Sequence, residues 1–147
     1  MDPSGVSWKS SNRVSVTVSV SAKGSVTPTG RRGKIMDQIK SVEDLEVFKK
    51  GHALTLRVYG VSKTFPPGEK LGLTPQIRRS ASSICANLME GGHRLSTKEF
   101  RQFAGIARGS VGELKYHLLL AKDLGYLSGH LYAGLRLEAE EIRSRRN

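Results

Sequence analysis

Between Thr74 and Tyr126 the apolar residues recur every three or four positions, in two runs separated by a short glycine-containing break. That period puts them on one side of an α-helix and is incompatible with the alternation of a half-buried strand. In the first run Ile77, Ala81, Ile84 and Leu88 form the stripe. Around it Ser80, Ser82, Ser83, Cys85 and Ala86 are small enough to let another helix approach closely. Thr74 is the expected N-cap, with Pro75 at the first helical position, and Gly91-Gly92 the expected left-handed stop. In the second run Ser96 and Glu99 form a capping box, and Phe100, Phe103, Ala107, Val111, Leu114, Leu118 and Ala121 make the stripe before Gly125 ends it. So short a connection forces an antiparallel hairpin, in which residues whose numbers sum to about 187 lie side by side, placing Phe103 opposite Ile84.

The flanking segments read as helices too. Ser41, with Asp44 three residues on, opens the first of them. Val47, Gly51, Leu54, Val58, Val61 and Phe65 give it a seam, and Leu45, Phe48, Leu56 and Tyr59 widen its apolar face. Gly51 and Gly60 each cost about 1 kcal/mol relative to Ala in a helix interior, so close approach of another backbone is expected at both. Pro66-Pro67-Gly68 ends this helix. Ser128 caps the last one, which carries Leu131, Leu135, Ala139 and Ile142. Its Glu138, Glu140 and Glu141 precede Arg143, Arg145 and Arg146, an order that favours pairs within the helix. The expectation is an all-α, up-down-up-down four-helix bundle over residues 41–147, with helices near 42–65, 75–90, 97–123 and 129–145.

Residues 1–40 differ in kind: Ser/Val/Gly-rich, with the only Trp and no helical period, they read as a disordered basic leader. Helix signals start right after Met36, which makes Met36 the expected initiator. Of the net charge of +11, residues 1–35 carry +5 and the remainder +6. Such a balance suits a polyanionic partner, although bulk charge is a weak pointer. The single Cys85 excludes an internal disulfide and fits a reducing, cytoplasmic setting. No apolar run approaches the roughly 20 residues of a membrane span.

Several segments resemble one known family: Asp44-Leu45-Glu46-Val47-Phe48, Gln76-Ile77-Arg78-Arg79-Ser80-Ala81, Ala86-Asn87-Leu88-Met89-Glu90-Gly91, Lys98-Glu99-Phe100, Ile106-Ala107-Arg108-Gly109-Ser110 and Ala121-Lys122-Asp123-Leu124-Gly125-Tyr126. They look like the four helix bundle protein family, whose founding members are encoded in 23S rRNA intervening sequences. The likeness covers about residues 37–135. The chain is similar, more distantly, to the accessory protein of diversity-generating retroelements, a barrel-like homopentamer that binds nucleic acid beside a reverse transcriptase. The resemblance therefore implies the bundle and a homopentamer, with no settled activity. The leader, Gly51, Gly60 and the short last helix depart from the family's pattern.

No catalytic, cofactor or metal constellation is legible. His52, His93, His117 and His130 lack a metal-ligand spacing, and Gly91-Gly92 closes a helix where a phosphate loop would open one after a strand. Two groupings remain. Arg78, Asn87, Glu90 and Glu113 match family motif positions, and by the sum rule Glu113 falls near Thr74 and Arg78. They are either a solvated ion pair or a polar cluster fixing register at a subunit interface. Arg101, Arg108, Lys115 and Lys122 repeat every seven residues, with Arg94 one step earlier and Lys98 beside it. That stripe of about 31 Å is either the wet face of an amphipathic helix or a track for phosphates, with only Tyr116 near it for stacking. The expected function is a non-enzymatic, self-associating bundle that engages RNA or DNA through its backbone charge. The alternative is an oligomeric scaffold for another protein, with no nucleic-acid role; neither a membrane nor a small-molecule substrate is indicated.

Overall fold

A computed structural model describes residues 41–144. The leader and the residues from 145 onward lie outside them, as do the expected partners Arg145 and Arg146. Among the described residues there are four α-helices and no strand: α1 Glu46–Ser62, α2 Leu73–Gly92, α3 Thr97–Asp123 and α4 Gly129–Ser144.

Contacts between helices define their directions. From α1 to α2, Thr55 Oγ1 donates to the Ala81 carbonyl, Cys85 Sγ to the Phe48 carbonyl and Arg78 Nε to Ser62 Oγ, so one number rises as the other falls. The same inverse order joins α2 to α3 (Ser80 with His117, Ser83 with Ser110) and α1 to α4 (Lys50 with Glu141, Arg57 with Glu138). Lys115 and Lys122 of α3 meet Glu140 and Tyr132 of α4 in that order too. Every adjacent pair is antiparallel, which makes the up-down-up-down bundle, with α2 and α3 sharing the largest contact.

The stripes close on one core. Leu54 and Val58, Ile77, Ala81, Ile84 and Leu88, Ala107 to Ala121 at their three-to-four spacing, and Leu135, Ala139 and Ile142 are all buried. Leu56 and Tyr59, part of the widened face of the first helix, remain at the surface.

Several local expectations are corrected. The Ser41–Asp44 capping box forms, but on a 3-10 turn, Val42–Asp44; extended Leu45 then separates it from α1, which is shorter than expected at both ends. Thr74 does not cap α2. The helix already starts at Leu73, whose N–H is taken by the Glu69 carboxylate at 2.8 Å, and Pro75 sits within the first turn, where its missing donor still does no harm. Gly91 and Gly92 both lie inside α2, and His93, at φ −95°, ends it without a left-handed residue. Gly91 serves close approach instead: a Cβ there would lie 2.7 Å from Phe103 Cβ. Gly51 likewise faces Cys85 and Ile84, whereas a Cβ at Gly60 would meet none of the described residues within 4 Å. Gly125, at φ 86°, is the left-handed stop foreseen for α3, with Tyr126 N–H on the Ala121 carbonyl and Gly125 N–H on that of Lys122, a Schellman arrangement.

The α2–α3 register also differs. Phe103 lies against Gly91, not Ile84, and Ser83 against Ser110, so partners on α3 fall about two turns further along than expected. The two extra residues of α2 account for part of this. The first turn of α3, projecting past the end of α2, accounts for the rest.

Candidate nucleic-acid interface

One side of α3 is exposed from end to end. Lys98, Arg101, Gln102, Gly105, Arg108, Gly109, Gly112, Tyr116 and Leu119 all lie on it and all are exposed. Its N-terminal half carries the cations. Lys98, Arg101 and Arg108 make no ion pair among the described residues.

The other members of the seven-residue stripe are placed differently. A straight α-helix drifts by about 20° per heptad, so from Arg101 to Lys122 the stripe turns about 60° away from its starting direction. That rotation carries it from solvent onto α4. Lys115 is half-buried and ion-paired with Glu140, which also holds Arg136 at 3.5 Å. Lys122 lies 4.8 Å from the centre of the Tyr132 ring and 3.7 Å from the Asp123 carboxylate. Arg94, in the α2–α3 connection, packs over Phe103 at 4.8 Å and faces Glu90 at 3.7 Å. The six expected nucleic-acid residues thus divide into three open cations and three already engaged within the bundle.

The residues Arg78, Asn87, Glu90 and Glu113 do not come together as one cluster. Arg78 turns to α1, where its Nε donates to Ser62 Oγ at 2.7 Å and its Nη2 to the Tyr59 carbonyl at 3.4 Å, with the guanidinium 4.9 Å over the Tyr59 ring. Asn87 is buried and donates to the Ser83 carbonyl. Glu90 is buried beside Arg94, and Glu113, displaced with the register, makes no ion pair with Arg78. Its charge acts on His117 instead.

A polar seam between α2 and α3 was not foreseen. Ser83 Oγ donates to Ser110 Oγ at 2.7 Å, and Ser80 Oγ lies 3.4 Å from His117 Nδ1, all in buried surroundings. Burial lowers the pKa of His117, and the nearby Glu113 carboxylate opposes that shift. The small residues of α2 therefore do bring a neighbour close, but the neighbours are α3 and, at Cys85, α1 of the same chain. Burial pushes the Cys85 thiol up to about 12, so it stays protonated. Among the described residues no group of His, Cys, Asp and Glu could hold a metal ion.

The model of the 23S rRNA-intervening sequence protein family matches residues 43–147, from the 3-10 turn to the end of the chain. The chain belongs to that family. A solved structure from Bacteroides thetaiotaomicron, described as a protein of unknown function from the S23 ribosomal protein family, is 26% identical. It superposes with a TM-score of 0.62, over 66% of this chain and 91% of that one. No curated protein matches. Among the described residues no helix is long and apolar enough to cross a membrane.

Proposed function

We propose that this member of the 23S rRNA-intervening sequence protein family is a non-enzymatic cytoplasmic protein that assembles as a homopentamer and holds the phosphate backbone of RNA or DNA on the open face of α3. The observation that carries this reading is the position of Lys98, Arg101 and Arg108: one helix face, exposed, with no carboxylate pairing them among the described residues. Cations so placed release counterions from a polyanion without breaking any internal contact, and they read no base edge, so binding is sequence-tolerant and steep in salt. Tyr116, exposed further along the same face, offers one ring for stacking.

Self-association is supported by apolar side chains outside the core. Leu56 on α1 and Leu137 on α4 are 59% and 61% exposed, apolar area that a partner subunit would cover. The same observation favours the second reading, an oligomeric scaffold for another protein. Purified protein, stripped of host nucleic acid, separates the two. Retention of a labelled RNA at physiological salt supports the first reading; its loss, with the oligomer intact, supports the scaffold.

A further inference from the structure

Away from the face of α3, a groove of about 430 Å³ opens between the C-terminal half of α1 and the N-terminal half of α2. Tyr59, Lys70, Thr74, Arg78, Arg79 and Ser82 line it, and among the described residues no acidic one does. We infer that this groove is a binding site for a phosphomonoester of nucleotide size, distinct from the backbone track on α3.

Arg78 is the centre of the argument. Its guanidinium is held by neutral groups alone: the Ser62 hydroxyl, the Tyr59 carbonyl and the face of the Tyr59 ring. No carboxylate of the described residues offsets its charge. A guanidinium has five N–H donors, and the two contacts leave the donors on Nη1 for a ligand, in an orientation already fixed. Lys70 is exposed on the same groove and also lacks a carboxylate partner among the described residues. Its neighbour Glu69 is turned to the Leu73 N–H and the Tyr126 hydroxyl, and does not line the groove.

Arg78 and Lys70, neither with a carboxylate partner among the described residues, share one concavity and suit a ligand of charge near −2, which a phosphomonoester carries at neutral pH and a carboxylate does not. The Thr74 hydroxyl and the first turns of α2 add to the attraction. A volume of about 430 Å³ exceeds what a bare phosphate fills and lies within the range of small-molecule sites. Pro75, Ala86 and the Tyr59 ring supply walls for an organic portion. The phosphate belongs either to a free nucleotide or to the 5′ end of a strand.

Calorimetric titration of the full chain with 5′-AMP, adenosine, and an oligonucleotide with and without a 5′-phosphate tests this. Binding of 5′-AMP with none of adenosine is expected. Lys70→Glu with Ser82→Glu, two exposed positions, should weaken 5′-AMP at least tenfold without moving the melting temperature. Arg78→Lys should weaken it as well, by removing the fork while keeping the charge. Arg101→Glu with Arg108→Glu should leave it unchanged, which separates this site from the track on α3. If the 5′-phosphate tightens the oligonucleotide, the strand end is the ligand; if it adds nothing while 5′-AMP binds, the free nucleotide is. Equal affinity for adenosine and 5′-AMP, absence of 5′-AMP binding, or indifference to the Lys70 and Ser82 changes would overturn the inference.

Discussion

Replacing Gly91 with alanine pits two effects of similar size against each other. Alanine is favoured over glycine in a helix interior by about 1 kcal/mol. At Gly109, where an added Cβ meets none of the described residues within 4 Å, that gain should appear undiminished. At Gly91 the new carbon would sit 2.7 Å from Phe103 Cβ, 3.3 Å from Phe100 Cδ1 and 3.4 Å from the Phe100 carbonyl oxygen. Carbon pairs settle at about 3.5–4.0 Å, so the first contact is short by about 1 Å. Phe103 Cβ is fixed to the α3 backbone and cannot swing aside, so α3 must retreat from α2. Overpacking of that kind costs about 1–3 kcal/mol. Net, Gly91→Ala should be neutral to destabilising by about 2 kcal/mol, and should fall about 1–3 kcal/mol below Gly109→Ala. For a domain of this size each kcal/mol moves the melting temperature by about 4 °C. Circular dichroism melts of both variants, at one protein concentration because assembly shifts the midpoint, measure the difference. Equal stabilisation by the two substitutions would refute the close α2–α3 crossing.

Three further outcomes follow from the geometry. Cys85, its thiol raised to about 12 by burial, should resist alkylation in the native protein at pH 8 and react promptly in denaturant. His117 is depressed in the fold below its ordinary 6.5, so the unfolded chain binds the proton more readily. Stability should accordingly be full above pH 6.5 and decline as the pH falls below it; His117→Gln should reduce that slope in urea melts, and His93, which desolvation also lowers, contributes to it as well. Light scattering should report a closed oligomer, and Leu56→Ser with Leu137→Ser should dissociate it while helicity persists; a strictly monomeric wild-type chain at high concentration would contradict self-association.

Burial written into period was legible. Ile77, Ala81, Ile84 and Leu88 had to share a side, and no other arrangement of a four-turn helix buries them all. Ends were less legible, because the signals used are not exclusive to α-helices. The Ser41–Asp44 box closes a 3-10 turn equally well, and Glu69, four residues before Leu73, caps α2 from a position no local pattern marks. Gly91 illustrates a second ambiguity: glycine permits both a left-handed stop and a tight crossing, and only tertiary packing chooses. The cationic stripe changes surroundings along α3 for a geometric reason. Seven residues are not quite two turns, so a repeat that looks straight in the sequence winds around the helix until Lys115 and Lys122 reach α4. The seam of Ser80, Ser83, Ser110 and His117 is not legible in the sequence because its register depends on where α3 begins relative to the end of α2.

The central claim, that the open cations of α3 track phosphates, meets its most direct test in the salt dependence of RNA affinity for wild type and for Arg101→Glu with Arg108→Glu. Each phosphate neutralised contributes about 0.7–0.9 to the magnitude of the slope of log K against log salt. The double variant should therefore bind more weakly, with a slope shallower by roughly 1.5, while melting as wild type does, since exposed charge changes shift stability by only about 0.5 kcal/mol each. Unchanged affinity and slope would mean that Lys98, Arg101 and Arg108 are a solvated surface, and that whatever this bundle binds is held elsewhere.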